Sequence, residues 1–375
     1  MKLTIISHTE HYKLSDGTLV GWGPTITEIN HLAEIFDEIF HVAMYYDEEA
    51  PESSLPYTND SITFVPLKPT GGSTITEKLK VLVSVARVIK TVNNTLAKTD
   101  CFQLRAPTGI GVFLIPYLTL FSKKKGWFKY AGNWKQHPAP MGYTIQRFLL
   151  KRQRRIVTIN GAWDNQKSHC LSFENPCLIE KDITEGHHIR ASKTNKGPLH
   201  FCYVGRLEKQ KGVERLINAF GLLLKDKLGL IGKIHLVGNG RDIDYFKELS
   251  KKTELEFVFH GFLPTHKVFE IYRDSHFFLM PTTASEGFPK VIAEAMNFGC
   301  VPLVSSISSI NQYVKDDENG IIIETVTEDN VKTVINRALN FTEEQYRSMV
   351  DNNSEVVKTF TYNYYLERIK SLVGL

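Results

Sequence analysis

Residues 276–306 read "HFFLMPTTASEGFPKVIAEAMNFGCVPLVSS". An apolar run of strand length is followed by a polar loop, a segment with apolar residues at helical spacing closed by Gly299, and a second apolar run. Strands apolar on both faces, joined through a short helix, are the mark of a βαβ unit on a parallel sheet. Pro289 suits the first position of the helix, where its missing N–H would be unpaired anyway. Gly287 lets backbone approach a ligand, and the free N–H groups of that helix end form an anion site. Glu286 and Glu294 flank it. Carboxylates beside an anion make sense as acceptors from neutral hydroxyls, which points to a ligand with hydroxyls at both ends of a diphosphate.

The same alternation extends outward. "LHFCYV", "KIHLVG" and "EFVFHG" read as strands, with "GVERLINAFGLLL", "DIDYFKELSKK" and "HKVFEIYRD" as helices between them. In the first half, "KLTIIS" and "HVAMYY" read as strands around an amphipathic helix, "PTITEINHLAEIFDEIF". The expected fold is therefore α/β, with two doubly wound Rossmann-like domains facing a cleft. Domain boundaries are expected at 1–185 and 196–358, with a C-terminal helix at 359–375 joining the first domain. Length agrees, because single cores rarely grow past about 250–300 residues, and this chain has 375.

Ligands of open parallel sheets bind at the carboxyl ends of the strands. There the loops "RLEKQKG", "NGRD", "FLP" and "TTASEGFP" carry Arg206, Lys211, glycines and Glu286. Arg206 and Lys211 would meet a diphosphate across the site from the helix end. Each residue also has a plainer reading. Arg206 and Lys211 could be a solvated loop pair, Glu286 a helix cap, and Glu294 an exposed helical residue. Gly238-Asn239-Gly240 fails as a dinucleotide fingerprint because Ile243 stands at the third glycine. Asp242 and Asp244 better suit the start of a helix than a metal. His8 and His11 suit a loop, and His260 a core position.

Five scattered cysteines give no C-x-x-C pair and no zinc spacing, which argues for a reducing compartment without structural metal. "MKLTIISHTE" is no signal peptide, and "GVFLIPYLTLF" is about half of what a bilayer needs, so it reads as a buried helix. The expected location is cytoplasmic, or peripheral on the inner face of the cell membrane. Between Cys101 and Trp163 there are eleven Lys or Arg and no Asp or Glu, under a total charge of +4. "FSKKKGWFKY" and "YTIQRFLLKRQRR" mix those cations with Trp127, Phe128, Ile145, Phe148 and Leu149. Cations beside aromatics fit an anionic membrane surface, here through 123–155. No nucleic-acid recognition motif accompanies them.

Together, "VGRLEKQKG", "HLVGNGRD", "HGFLP" and "MPTTASEGFPKVIAEAMNFG" resemble the retaining glycosyltransferases of family 4, which have the GT-B fold, over about residues 199–325. The resemblance implies transfer of a sugar from a nucleoside diphosphate sugar to a glycan or polyprenyl-linked acceptor, with no metal or other cofactor, in surface polysaccharide synthesis. It implies that Arg206 and Lys211 bind the donor diphosphate, Glu286 contacts the transferred sugar and Glu294 holds the ribose. The backbone at Gly287, Phe288 and Pro289 would touch phosphate, with Gly238 nearby and Phe262 near the base. "GWGPTITEINHLAEIF" resembles the glycine-rich loop on the donor side, with Gly21 and Gly23 as turn residues. "LRAPTGIG" and "KYAGNWK" resemble acceptor-side segments, placing Arg105 and Asn133 there beside His8. Two departures stand out. "CFQLRAP" lacks a histidine found in many relatives, and "SISSINQYV" has Gln312 where a glutamate often falls. A nucleotide-sugar epimerase and a non-catalytic nucleotide- or partner-binding protein are the alternative readings.

Overall fold

A computed structural model describes residues 1–70 and 75–375, with backbone alone over 75–83. Contacts divide the chain into two units, Met1–Glu174 with Leu366–Leu375, and Asn175–Tyr365.

Among the described residues, the first unit is built on a nine-stranded sheet. Its strands are β1 (Lys2–Lys13), β2 (Leu19–Trp22), β3 (Glu38–Tyr45), β4 (Ser54–Pro56), β5 (Ile62–Leu67), β6 (Cys101–Ala106), β7 (Lys125–Tyr130), β8 (Val157–Ile159) and β9 (Cys170–Ser172). Six parallel pairings give the order β5-β3-β1-β6-β7-β8-β9. The long β1 also carries β2 antiparallel on its second half, and β2 carries β4. The helix expected over 24–40 is shorter, Gly23–Leu32. Ile39 to Val42 pair instead with Leu3 to Ile6 as β3, because a run of β-formers beside a central strand gains more as sheet than as helix. His8 and His11 lie within β1, not in a loop after it.

The second unit has six strands: β10 (Leu199–Val204), β11 (Ile231–Val237), β12 (Phe257–Gly261), β13 (Phe277–Met280), β14 (Val301–Ser305) and β15 (Ile321–Ile323). All pairings are parallel, in the order β12-β11-β10-β13-β14-β15. The order reverses between β10 and β13, the switch point of a doubly wound sheet. The flanking helices are amphipathic. Val213–Gly221 buries Val213, Leu216, Ile217 and Phe220, the i, i+3, i+4, i+7 stripe that seals one face of a sheet. Phe220 meets Phe201 of β10 edge-on at 5.1 Å between centroids, and Phe201 stacks on Phe277 of β13 at 5.1 Å.

The helix Glu180–Ser192 belongs to this second unit, ahead of the expected break at 185–196. A Cβ on its Gly186 would stand 2.5 Å from Asn297, and Arg190 donates to the Asn297 backbone carbonyl and Oδ1. Lys193 donates to the carbonyls of Tyr272 and Phe298 at 2.8 Å. These bonds satisfy carbonyls at two helix ends, which otherwise lack partners.

Candidate functional site

In the second unit the loops after β10, β13 and β14 are tied to one another by side chains and backbone. After β10, a turn Lys209–Lys211 ends at Gly212, whose φ is +89°. A Cβ there would stand 2.0 Å from the Pro281 carbonyl oxygen, so only glycine lets the two loops touch. The Gln210 carbonyl accepts from the Thr283 N–H at 3.0 Å, and Arg215 donates to the Pro281 carbonyl at 3.2 Å. This arrangement buries Lys211 and pairs its Nζ with Glu286 Oε1. Glu286 remains 39% exposed at the side chain, so the pair opens onto solvent on the carboxylate side.

Two serines after β14 hold the other flank. Ser308 Oγ accepts from the Glu286 N–H at 3.1 Å, and Ser309 Oγ donates to the Gly287 carbonyl at 3.2 Å. Ser308 sits at φ +60°. These serines occupy the segment that departs from the family pattern, and their positioning role has no sequence signal beyond following a strand. Asp242, after β11, likewise ties its loop to the one after β10. Its carboxylate accepts from the Lys209 N–H at 3.1 Å and makes no side-chain bond to its own helix, which replaces the expected capping role.

Pro289 precedes the helix Lys290–Asn297 as its N-cap, one position earlier than expected. The Phe288 ring is core, packed at 4.9 Å against Tyr313 and 4.7 Å against Phe360, so only its backbone faces the loop region. Glu294 is half-buried and accepts from Tyr272 Oη at 3.4 Å. Burial pushes its carboxyl up to about 7, against the opposing pull of Lys290. Arg206 is exposed and pairs with Glu208 at 3.2 Å. Phe262, just past β12, is 41% exposed. Gly238, at φ +124°, is packed against Gly205, whose carbonyl oxygen lies 2.0 Å from where a Cβ would stand.

In the first unit, Arg105 and Asn133 lie near the carboxyl ends of β6 and β7 and are engaged within the protein, while His8 lies within β1. Arg105 donates through both terminal nitrogens to Glu28 at 3.1 and 3.2 Å, and Lys129 reaches the same carboxylate at 2.6 Å. Glu28 is 1% exposed. Arg105 is therefore a member of a buried ion cluster rather than an open acceptor contact. Such a cluster costs desolvation that its hydrogen bonds must offset. Asn133 is buried and accepts from the Lys135 N–H at 2.9 Å. His8 is half-buried, and burial lowers its pKa. Gly21 and Gly23 answer to packing, since a Cβ would stand 2.7 Å from the His11 ring and 2.5 Å from the Ser53 carbonyl. Sequence reading missed Glu28, whose partners lie 77 and 101 residues away.

The family described as "Glycosyl transferases group 1" matches residues 186–356. The similarity to that family is confined to this segment of the second unit. It contains Arg206, Lys211, Gly238, Phe262, Glu286 and Glu294. An uncharacterized glycosyltransferase of Methanocaldococcus jannaschii is 28% identical over 200 residues, 50% of this chain and 50% of the relative. The UDP-Gal:alpha-D-GlcNAc-diphosphoundecaprenol alpha-1,3-galactosyltransferase of Escherichia coli is 25% identical over 249 residues, 61% of this chain and 62% of the relative. The chain thus spans about half to three-fifths of the length of these relatives. Across whole chains, the structure of Anabaena HepE in complex with UDP is similar, with a TM-score of 0.71 at 15% identity over 100% of both. The second unit is accordingly one Rossmann-like half of a GT-B fold, as expected.

Proposed function

We propose that the protein is a retaining glycosyltransferase. It moves a sugar from a nucleoside diphosphate sugar to a hydroxyl of a glycan or lipid-linked acceptor, in surface polysaccharide synthesis. The observation that carries this reading is the Lys211–Glu286 pair at the carboxyl edge of β10 and β13, beside the 287–289 backbone of the segment matched by the group 1 family. The E. coli relative's name gives it a UDP-sugar donor and a diphospholipid acceptor, and HepE was solved with UDP. Both support this donor and acceptor class.

In the proposed reaction the donor diphosphate takes Lys211 as its counter-ion, which frees Glu286 to accept from hydroxyls of the transferred sugar. As the bond from the anomeric carbon to the phosphate oxygen breaks, negative charge grows on that oxygen. Lys211, Arg206 and backbone N–H groups near the helix start stabilise it. The acceptor oxygen bonds to the anomeric carbon on the same face, and its proton passes to the departing phosphate. No step requires a metal, because the two cations bear the charge. Glu294 holds the ribose and Phe262 lies against the base.

The test is incubation of the purified protein with a panel of nucleoside diphosphate sugars, with and without a polyprenyl-linked acceptor. Acceptor-dependent release of nucleoside diphosphate, with the anomeric configuration of the donor kept in the product, is expected. Isomerised donor in the absence of acceptor would identify an epimerase, and binding without turnover a non-catalytic protein.

A further inference from the structure

In the first unit, the helices Gly111–Phe121 and Met141–Arg152 follow the neighbouring strands β6 and β7 and pack on each other. Gln146 and Leu150 of the second helix face inward and are buried. Its outward stripe runs Met141, Ile145, Phe148, Arg152, at i, i+4, i+7 and i+11, one face of a helix. Met141 is 79% exposed and Phe148 50%. Leu120 and Phe121, ending the first helix, are 73% and 72% exposed. "GVFLIPYLTLF" is therefore not a buried helix throughout, since its last turn presents large apolar side chains to solvent. Single exposed apolar residues are ordinary, but here five lie on two helices that pack on each other.

The eleven cations of this region divide into two groups. Arg105 and Lys129 hold Glu28. Lys124 donates to the Thr99 carbonyl, Arg147 to those of Trp134 and Gln136, and Arg155 to those of Ser122 and Lys124. Those five are structural. Lys123, Lys125, Lys135, Lys151, Arg152 and Arg154 are exposed, and the Arg152 guanidinium lies 4.0 Å over the Phe148 ring. Trp127 and Phe128, read from sequence as part of the basic surface, are buried in β7. Among the described residues no helix is long and apolar enough to cross a membrane.

We infer that this face docks in the headgroup region of an anionic bilayer, with Leu120, Phe121, Met141, Ile145 and Phe148 inserted and the six exposed cations on the lipid phosphates. Charge complementarity supplies the long-range attraction: 101–163 carries no Asp or Glu, and Asp100, which lines one pocket with Lys123 and Lys125, offsets only that end of the face. The apolar stripe selects a bilayer over a soluble acidic glycan, because a purely polyanionic partner has nothing to receive it.

Sedimentation with phosphatidylcholine vesicles, with and without phosphatidylglycerol, tests the inference on the intact protein. Wild type should sediment with the anionic vesicles, less at high salt, and not with the neutral ones. A Leu120→Ser, Phe121→Ser, Phe148→Ser variant and a Lys151→Ser, Arg152→Ser, Arg154→Ser variant should each bind about tenfold or more weakly. All six positions are exposed, so the variants should keep the wild-type melting temperature. Failure of wild type to sediment overturns the inference. So does wild-type binding by the apolar variant, which would leave a polyanion site only. Vesicle binding requires no turnover, so this reading and the proposed transferase activity fail separately.

Discussion

Lys211 and Glu286 form an ion pair across 75 residues of sequence, made possible by the close approach of the loops after β10 and β13 at Gly212 and Pro281. The lysine is buried and the carboxylate half open to solvent. In the proposed reaction a donor diphosphate must replace Glu286 as the partner of Lys211, so the two residues should have distinct defects. Lys211→Ala should lower turnover by about 10²–10³, the usual loss of one preorganised contact to a developing charge. Its effect on stability should be far smaller in proportion. Glu286→Gln should lower turnover while donor binding is kept or improved, because Lys211 is then free for phosphate. Steady-state kinetics and nucleotide titration check both; wild-type turnover in Lys211→Ala would remove the lysine from the mechanism.

Glu294 gives a pH prediction. Burial raises its carboxyl to about 7, so it passes from neutral to ionised between about pH 6 and 8. The ionised form is the better acceptor from two ribose hydroxyls. Affinity for nucleoside diphosphate should therefore rise through this range more steeply in wild type than in Glu294→Gln. The raised value also has a stability sign. The folded state holds this proton more tightly than the unfolded chain, so the group favours folding below its unfolded value and withdraws that support as pH rises through 7. Calorimetric titration of both proteins at pH 6 and 8 measures the binding difference. Parallel pH profiles would exclude Glu294 from the ribose.

A third expectation concerns metal. If Arg206 and Lys211 bear the diphosphate charge, chelation with EDTA should leave turnover within about twofold of the untreated enzyme, far less than the 10²–10³ expected from losing a single charge-stabilising contact. Loss of activity restored by a divalent cation would show that the cations do not suffice.

The second unit was legible from sequence because its strands are parallel and, apart from the half-buried edge strand β12, largely buried on both faces. Such strands appear as unbroken apolar runs, and "LHFCYV" matches β10 residue for residue. The spacing of Glu286 and Glu294 likewise needed no coordinates. The first unit was less readable where one pattern fits two structures. Ile35, Phe36 and Ile39 continue a helical stripe from Ile26, yet Ile39 lies in β3. Arg105 illustrates another limit. Its charge is visible in the sequence, whereas the cancelling Glu28 lies on a distant helix, and nothing local marks the pair. The exposed and structural cations of 101–163 could not be separated either, because the carbonyls that engage Arg147 and Arg155 become neighbours only after folding.

A row of imidazoles predicts acid sensitivity in the second unit. His276, His200, His235 and His260 stack in sequence across β13, β10, β11 and β12, with centroids 5.9, 6.2 and 5.2 Å apart. His235 Nδ1 and His260 Nε2 share a hydrogen bond at 2.9 Å, which requires one ring nitrogen to be unprotonated. Burial lowers His235 and His276 to about 4 and lowers His260 as well. Lys193 and Lys233 oppose protonation, while Asp274 favours it. The unfolded chain takes up protons below about 6.5 while the folded one does not. His235 and His276 should therefore each withdraw up to about 1.4 kcal/mol per pH unit as pH falls from 6.5 towards 4. Urea unfolding at pH 7 and 5 should show the loss, and His235→Phe with His276→Phe should flatten it. Equal pH slopes in both proteins would rule out the row as the cause.

Gly238 provides the last prediction, on the backbone that shapes the site. Its φ of +124° disfavours any other residue, and an added Cβ would stand 2.0 Å from the Gly205 carbonyl oxygen. Neither segment can yield easily, since Gly205 N–H donates to Val237 at 3.0 Å and Gly238 N–H to Gly261 at 2.7 Å. Gly197 offers a matched control: its φ is +82°, but nothing lies within 4 Å of a Cβ there. Gly197→Ala should cost about 1 kcal/mol, the strain of a left-handed alanine alone. Gly238→Ala should cost more, at least about 2 kcal/mol, because displacement of the β10 and β11 loop ends adds to the strain. The same displacement moves Arg206, next to Gly205, so nucleotide affinity should fall in Gly238→Ala and not in Gly197→Ala. Urea midpoints and nucleotide titrations on the two variants decide it. Equal stability loss with unchanged affinity would mean that the loop ends relax without cost and that Gly238 has no part in shaping the site.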